Sequence, residues 1–309
     1  MSVFIAPVGL SIQQLLGTID DGDGWQQLVG RAGELPKWAA ESELHHHPQL
    51  LDGISPTDPG WAQLFRARDA VRRYREANPG KRLSAELDSL WSGTDHEPPG
   101  SDDTVVLMPS DTSLGLLWAT LTALVIGGSC SVRVVDGDRP VADTPPLARF
   151  ATDEDSRPRV LVALVRGLDP QDTPDRFHHE TAPRLARAFA WAANQPDDDD
   201  EVIVHLTGGF KATLPFLHTF AGFVPLQEGR EIRAYCLFEG GSRPVAIPIN
   251  RSGTNFAADV LRRAAEGEDM GNRYLLEGFA WTGPRSAPSL TSIGWQMLAL
   301  FDEAEAVHG

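Results

Sequence analysis

Short apolar runs alternate with amphipathic segments along most of the chain. The runs that predict β-strands are Ser2–Ala6, Thr104–Met108, Ser131–Val135, Arg159–Val165, Val202–Leu206, Ile232–Phe238 and Val245–Ile247. The segments between them that predict helices are Ser11–Leu16, Leu114–Val125, Phe177–Asn194 and Phe210–Phe223. Several of the strand runs are almost wholly apolar, which is typical of strands buried on both faces of a parallel sheet. The alternation therefore predicts an α/β fold with a Rossmann-like, mostly parallel sheet flanked by helices.

Two regions depart from this alternation. Residues 20–100 carry helical patterns over Trp25–Arg31, Trp61–Glu76 and Leu83–Trp91, followed by a Pro/Gly/Asp linker over Glu97–Asp103. Residues beyond Asn250 carry two more, over Phe256–Glu266 and Leu290–Ala306. We expect a Rossmann domain over residues 1–250, with a helical insertion at 20–100 after the first strand. Residues 251–309 are expected to form a small helical C-terminal extension.

Composition and charge narrow the possible partners. Of the 309 residues, 41% are hydrophobic and 23% are charged, which is ordinary for a globular protein. No uncharged apolar run reaches the roughly 18–20 residues that a membrane-spanning helix needs, so no membrane partner is expected. The net charge, 27 basic minus 43 acidic residues, is −16. This charge disfavours binding of a long nucleic acid, but a compact phosphate ligand can still bind to backbone N–H groups in a turn.

The residues that usually ligate metals lack the required spacing. The two cysteines, Cys130 and Cys236, lie far apart in apolar segments. We expect them to be reduced thiols in a cytoplasmic protein. The histidines of His45–His47 are contiguous and cannot share one helix face. The run Asp197–Asp200 lacks the spaced ligands and the glycine of a calcium loop. The sequence therefore predicts no metal site, and it implies no cofactor.

The first candidate site is the turn after the first strand, Ala6-Pro7-Val8-Gly9-Leu10-Ser11-Ile12-Gln13. A glycine permits a tight turn there, and a helix begins directly afterwards. Ser11 is placed either to cap that helix or to face a ligand at its N-terminus.

The second candidate is Thr207-Gly208-Gly209-Phe210-Lys211, which follows the strand Val202–Leu206. Two glycines at a strand-to-helix turn allow backbone amides to approach a phosphate closely. Lys211 is predicted in the first helical turn, where the helix dipole disfavours a cation unless an anion lies nearby. The alternative is an ordinary structural turn. The spacing matches neither a Walker loop nor a dinucleotide fingerprint.

The third candidate is Ser110-Asp111-Thr112, also at a strand-to-helix turn. Ligands of open α/β sheets bind at the carboxyl ends of the strands, where this turn lies. We expect Asp111 to cap the helix that follows. Ser110 and Thr112 remain open between capping and ligand binding.

Together these motifs resemble those of the CRISPR-associated Rossmann-fold (CARF) family. Pro7–Ser11 resembles the family's first turn, and Thr207–Lys211 resembles its Thr-Gly-Gly-[Phe/Tyr]-Lys signature. Leu83-Ser84-Ala85-Glu86-Leu87 resembles the Ser-Ala-Glu-[Ile/Leu] segment of one branch, in which a Ser-Asp-Thr turn follows. The segments Leu237–Glu239 and Val245–Pro248 resemble its closing hairpin. The motifs stand in the family's order and cover roughly residues 2–250.

The resemblance implies a cytoplasmic homodimer that binds a cyclic oligoadenylate, most often cyclic tetra-adenylate, across its two-fold axis. Some members of this branch are ring nucleases, which open the messenger without a metal. In those, a ribose 2′-hydroxyl attacks the adjacent phosphate and leaves a 2′,3′-cyclic phosphate. The family residues associated with cleavage match Ser11 and Lys211. The ligand-binding residues implied here are Val8, Gly9, Leu10, Ser11, Gln13, Ser110, Asp111, Thr112, Thr207, Gly208, Gly209, Phe210 and Lys211.

Two departures keep other functions open. Leu10 stands where the family has a threonine, which removes a hydroxyl from the first turn. The sequence carries neither the HEPN ribonuclease motif nor the PD-ExK nuclease motif of many CARF effectors. One alternative is a sensor that binds the messenger without cleaving it and acts through residues 251–309. Another is an unrelated Rossmann-like protein that binds a different nucleotide.

Overall fold

The computed structural model describes residues 2–19, 62–91, 97–135, 140–144, 146, 148–150, 157–169, 173–195, 201–209, 211–227, 229–238, 241, 243–251, 254–271 and 276–308. The strands are β1 (Ser2–Val8), β2 (Thr104–Pro109), β3 (Cys130–Val135), β4 (Ala148–Phe150), β5 (Arg159–Val165), β6 (Glu201–His205), β7 (Glu231–Cys236), β8 (Val245–Ile247), β9 (Trp281–Thr282) and β10 (Ser289–Leu290). The α-helices longer than three residues are α1 (Ser11–Thr18), α2 (Ala62–Ala77), α3 (Ala85–Trp91), α4 (Ser113–Gly127), α5 (Ala182–Ala193), α6 (Leu214–Phe223), α7 (Thr254–Ala265) and α8 (Ser292–His308). The predicted helix Trp25–Arg31 and the runs His45–His47 and Asp197–Asp200 lie outside the described residues.

Eight strands form one sheet in the order β4-β3-β5-β2-β1-β6-β7-β8. The six inner strands pair in parallel, and β4 and β8 pair antiparallel at the two edges. The predicted α/β class with a mostly parallel, Rossmann-like sheet is confirmed. All seven predicted strands are present, each within two residues of its predicted ends. The edge strand β4 and the small β9–β10 hairpin were not predicted. The hairpin strands have two residues each, which is too short for a periodic signal, and β4 (Ala148-Arg149-Phe150) lacks the continuous apolar run that predicted the equally short β8.

The alternation of side chains along β1 divides the core into two layers. Phe4, Ala6 and Val8 pack on one face of the sheet, and Val3 and Ile5 pack on the other. All five are at most 1% exposed, as expected for a strand covered by helices on both sides. The sheet is therefore buried on both faces, and polar chemistry is confined to its ends.

Residues of the predicted insertion cover one of these faces. The helices predicted at Trp61–Glu76 and Leu83–Trp91 are confirmed as α2 and α3. Leu64 and Val71 of α2 and Leu87 and Leu90 of α3 are fully buried in the same hydrophobic layer as Phe4. These helices are therefore part of the structural core.

The C-terminal helix α8 packs on the opposite face. Leu300 and Ala304 belong to the same hydrophobic layer as Leu185 and Phe189 of α5. The buried carboxylate of Glu303 accepts a hydrogen bond from the amide of Val141 at 2.7 Å. It also lies 3.5 Å from the guanidinium of Arg187. Helix α8 is thus joined to the Rossmann core by both apolar and charged contacts.

Candidate functional site

The turns after β1 and β6 lie side by side at the carboxyl edge of the sheet. The two strands pair in parallel with Ile5 opposite Val204, so their carboxyl ends lie at the same edge of the sheet. The strand order also changes direction here, since β2 follows on one side of β1 and β6 lies on the other. Ligands of open α/β sheets bind at such switch points. The chain fold therefore brings together the first and second candidate motifs, which are about 200 residues apart.

The closest approach between the two turns is made by their glycines. A Cβ built on Gly9 would lie 3.0 Å from the amide nitrogen of Gly209. One built on Gly209 would lie 2.6 Å from Cβ of Pro7. Gly208 and Gly209 both have positive φ angles, +79° and +67°. Gly209 therefore needs to be glycine for two independent reasons, its backbone conformation and its close packing against the first turn.

Ser11 does not cap α1. The N-cap position is Leu10, which has no side-chain capping bond, and Ser11 is the first residue of the helix. The Ser11 hydroxyl instead donates to the carboxylate of Glu86, through Oε2. It also accepts from the amide of Ala85 at 3.1 Å. Of the two roles predicted for Ser11, capping is wrong, and ligand contact stays a prediction.

Glu86 joins the two turns. Its side chain is buried, with the residue only 1% exposed. Besides the bond to Ser11, Oε1 accepts from the amide of Gly9 at 2.8 Å and from the amide of Gly209 at 3.4 Å. A carboxylate thus occupies the position between the turns at which these backbone N–H groups converge.

Helix α3 holds Glu86 in place. Ser84 precedes the helix, and its hydroxyl accepts from the amide of Leu87 at 3.2 Å. Asp88 reaches back to the amide of Leu83 at 3.0 Å. Desolvation by burial raises the pKa of Asp88, and the bond from Leu83 opposes this shift. One turn further, Ser89 lies 2.6 Å from Nδ1 of buried His205 on β6. The helix is therefore anchored along its length, and the Glu86 carboxylate is positioned by this anchoring.

The second turn has a different local structure from the one predicted. Lys211 lies in a 3₁₀ turn, Lys211–Thr213, and α6 begins only at Leu214, with Pro215 in its first turn. The prediction that the helix starts at Phe210 is therefore wrong, and Phe210 itself lies outside the described residues. Lys211 is exposed at the amino-terminal side of α6. Within the part of the chain that the structure describes, it has no ion-pair partner.

Thr207 contributes to the fold of this edge. Its buried hydroxyl accepts from the amide of Leu237 at 2.7 Å, which connects the end of β6 to the end of β7. This contact explains why a hydroxyl residue stands before the two glycines.

The third turn is next to the first, because Pro109 at the end of β2 pairs with Val8 at the end of β1. Here Thr112, rather than Asp111, caps α4, and its hydroxyl accepts from the amide of Gly115 at 3.0 Å. The Ser110 hydroxyl lies 3.1 Å from that of Thr112. The prediction that Asp111 caps the helix is wrong. The cap requires the side chain at the N-cap position itself, and that position is 112.

Asp111 is tied to the neighbouring strand end. Its carboxylate accepts from the amide of Gly167 at 2.8 Å, and its own amide donates to the carbonyl of Leu168 at 2.7 Å. Burial raises the pKa of Asp111, while the bond from Gly167 and nearby Arg166 oppose this shift. Asp111 therefore fixes the loop after β5 against the loop after β2.

The remaining predicted residues surround the first turn. Val8 is buried in the sheet, and Gln13 is half-buried on α1. Leu10, by contrast, is 47% exposed at the tip of the turn. Phe238, which follows β7 at the same edge of the sheet, is 56% exposed. Two large apolar side chains are thus presented to solvent at this edge.

A cavity among the described residues lies elsewhere. It has a volume of about 590 Å³ and is lined in part by Arg72, Arg75, Trp91 and Arg157, and by none of the predicted site residues. Arg72 donates to the carbonyls of Leu124 and Val125 near the end of α4, at 2.7 and 3.2 Å. The Arg75 guanidinium lies 3.7 Å from the centre of the Trp91 ring. The arginines here have structural roles at the carboxyl end of a helix and against an aromatic ring.

Two general features bear on function. No three His, Cys, Asp or Glu side chains in the described ranges are grouped so that they could hold a metal ion. None of the helices described here is long and apolar enough to cross a membrane. Cys130 and Cys236 are both free thiols, the first buried and the second half-buried.

Sequence reasoning found the turns but missed what lies between them. The Ser-Ala-Glu segment carries the resemblance, but its pattern assigns no role to Glu86. The signal in the sequence is a glutamate between the apolar residues Ala85 and Leu87, two positions after Ser84. Its partners, Ser11 and Gly209, are 75 and 123 positions away.

A comparison with known protein families matches the part of the chain that contains much of this site. No curated protein sequence matches the chain. The family described as CRISPR-associated protein (Cas_APE2256) matches residues 81–250, which is more than half of the chain. This match contains Glu86, the Ser110–Thr112 turn, the second glycine turn and the β7–β8 hairpin. The protein therefore belongs to the CRISPR-associated Cas_APE2256 family.

Proposed function

We propose that this protein is a ring nuclease that binds a cyclic oligoadenylate and cleaves it without a metal. The expected ligand is cyclic tetra-adenylate. Cleavage would reduce type III CRISPR signalling. One observation carries the proposal. The two motifs that resemble the CARF ligand turns are in direct contact at the carboxyl edge of the sheet, through Gly9, Gly209 and Glu86. Membership of a CRISPR-associated family is in keeping with this function.

The proposed reaction makes two demands on the site, positioning and charge stabilisation. The 2′-hydroxyl of a ribose must be held in line with the adjacent phosphate, and negative charge that develops on the phosphorane must be stabilised. Ser11, at the first turn, would orient the reacting groups. Lys211 is an exposed cation beside the second turn and would stabilise the charge.

A symmetric ligand implies a symmetric binding partner. We propose that two copies of the chain meet at the carboxyl edge and place the ligand on their two-fold axis. Leu10 and Phe238 support this arrangement because they expose apolar surface at the same edge. Sedimentation equilibrium with and without ligand tests the dimer, and we expect Leu10→Glu to weaken it.

The activity is tested by incubating the purified protein with cyclic tri-, tetra- and hexa-adenylate in EDTA and analysing the products by chromatography and mass spectrometry. The expected product is linear and ends in a 2′,3′-cyclic phosphate. Ser11→Ala and Lys211→Ala should each reduce the rate by at least about tenfold. Ser101→Ala and Lys81→Ala, at exposed positions away from the turns, serve as matched controls. Full activity of both site variants would refute the assigned residues.

A second function is a sensor that binds the messenger and does not cleave it. The observation in its favour is that α8 is joined to the core through Glu303, Val141 and Arg187, so a change in the core reaches the C-terminal region. In the same assay, a sensor would retain the intact ring in a complex that co-elutes with the protein. Turnover would exclude this alternative.

A further inference from the structure

The Ser11 hydroxyl has a defined hydrogen-bonding state. A serine hydroxyl offers one proton and two lone pairs. The proton is donated to Oε2 of Glu86, because an ionised carboxylate only accepts. One lone pair accepts the amide proton of Ala85 at 3.1 Å. What remains free is a single lone pair, so Ser11 in this state can accept a hydrogen bond from a ligand but cannot donate one.

The hydrogen-bonding state of Ser11 determines which group of the ligand it can contact in the proposed reaction. A non-bridging phosphate oxygen carries no proton and needs a donor, which Ser11 cannot supply while it is bonded to Glu86. A ribose 2′-hydroxyl does carry a proton and fits the free lone pair. Ser11 is therefore suited to hold the attacking hydroxyl rather than the phosphate.

Glu86 is suited to receive the proton that this attack releases. It is 1% exposed, and the amides of Gly9 and Gly209 fix Oε1, which leaves Oε2 directed at Ser11. Among the described residues, no other carboxylate or imidazole contacts the Ser11 hydroxyl. The site thus contains a carboxylate placed one hydroxyl away from the position of the reacting group.

We propose that Glu86 is a positioning residue that fixes Ser11 as an acceptor and takes up its proton during cleavage, an inference that rests on the proposed ring-nuclease function. The 2′-hydroxyl proton passes to Oγ of Ser11 as the Ser11 proton passes to Glu86. The 2′-oxygen bonds to phosphorus, the bond from phosphorus to the 5′-oxygen breaks, and the 5′-oxygen takes a proton from water. The hydroxide that remains takes the proton from Glu86, and this restores the carboxylate.

A pH experiment must distinguish the effect of Glu86 from the effects of the charged groups around it. Asp88 lies on the same helix and interacts electrostatically with Glu86. The positive charge of Arg82, in the segment before α3, lowers the pKa of Asp88. On the elements packed against α3, His205 of β6 contacts Ser89, and Lys211 follows the glycine turn. Of the groups named here, Asp88 is the other carboxylate, so it provides the control for the acid decrease.

The decisive variant is Glu86→Gln. The amide oxygen of glutamine can still accept from Gly9 and Gly209, but it cannot take up a proton. We expect the single-turnover rate with cyclic tetra-adenylate to fall by about 100-fold or more, the usual size of a general-base effect. Affinity, measured by calorimetry, should change by less than about threefold. The wild-type rate should decrease toward acid pH, and this decrease should be absent in Glu86→Gln.

Three further variants complete the test. Asp88→Asn keeps an acceptor for the amide of Leu83 and should retain the acid decrease of the rate. Asp102→Asn, at an exposed carboxylate away from the turns, should keep both the wild-type rate and its acid decrease. Glu86→Asp retains a carboxylate on a shorter side chain and should restore part of the rate together with the acid decrease. Thermal unfolding of each variant confirms that it is folded under the assay conditions.

The outcomes are distinct. An unchanged rate in Glu86→Gln would overturn the inference, and so would a lower rate with the wild-type pH profile, because either result would assign Glu86 a purely structural role. A loss that comes only from weaker binding would overturn it as well. If the wild-type protein cleaves none of the cyclic oligoadenylates, the proposed function fails and this inference fails with it. Activity in the wild type but a failed Glu86 series would overturn this inference alone.

Discussion

Gly208 lies so close to Glu86 that a Cβ at position 208 would come within 2.5 Å of Oε1. Glu86 is buried and bonded on both oxygens, so it cannot move aside without losing those bonds. The backbone at 208 also has a φ of +79°. The glycine of the second turn is therefore required by a side chain from another part of the chain as well as by its own conformation.

Gly208→Ala should be more destabilising than backbone strain alone predicts. We expect the free energy of unfolding to fall by about 2–4 kcal/mol, from a strained positive φ of about 1–3 kcal/mol together with the displacement of Glu86. Urea unfolding measures the change. Gly80→Ala is the matched control, since its φ is +83° and no atom lies within 4 Å of the added Cβ. Equal losses in the two variants would show that contact with Glu86 adds no cost.

Thr112→Ala should destabilise the protein through the loss of a helix cap. The Thr112 hydroxyl accepts from the amide of Gly115, and removal of such a cap typically costs about 0.5–2 kcal/mol. Thr112→Ser keeps the hydroxyl and should retain most of the stability. Chemical denaturation of the three proteins tests this. Identical losses for the alanine and serine variants would mean that the methyl group, and not the cap, is responsible.

Asp111 should make the protein less stable as the pH rises through the acid range. Burial raises the pKa of this carboxyl in the folded state above its ordinary value of 3.8. Between that value and the raised one, the folded state binds more protons than the unfolded state, so the free energy of unfolding falls as the pH rises. Above the raised pKa this contribution is constant. Asp111→Asn, which keeps an acceptor for Gly167, should have a shallower pH dependence in this window. A slope equal to that of the wild type would show that Asp111 does not contribute.

Leu300→Ala should destabilise the whole protein rather than the C-terminal segment alone. Leu300 is fully buried in the layer that contains Leu185 and Phe189, and such truncations cost about 2–5 kcal/mol. We expect a single cooperative unfolding transition at a lower denaturant concentration. Trp295→Ala, on the same helix but at a side chain that is 49% exposed, should have a much smaller effect. A separate early transition would instead indicate that residues 251–309 unfold as an independent domain.

The strands, the helices and the α/β class could be predicted from the amino-acid sequence alone. Continuous apolar runs of five to seven residues identify buried strands, since a strand covered on both faces has no polar side. The amphipathic segments identify the helices that cover them, and α2, α3, α4 and α8 lie close to their predicted bounds. The positions of both glycine turns also followed from local pattern, because a glycine between a strand and a helix marks a tight turn.

The contacts between the turns depend on the three-dimensional arrangement of the strands and could not be predicted from the sequence. The parallel pairing of β1 with β6 places the two glycine turns together, and strand order leaves no periodic signal in the sequence. The bonds from Glu86 to Ser11, Gly9 and Gly209 join residues 75 to 123 positions apart. The capping predictions for Ser11 and Asp111 were wrong for the same reason, and Thr112, which the sequence left open between capping and ligand binding, is the cap of α4. A hydroxyl or carboxyl bonds to the donor or acceptor that packing brings within about 3 Å, and that choice depends on the whole fold rather than on the neighbouring sequence.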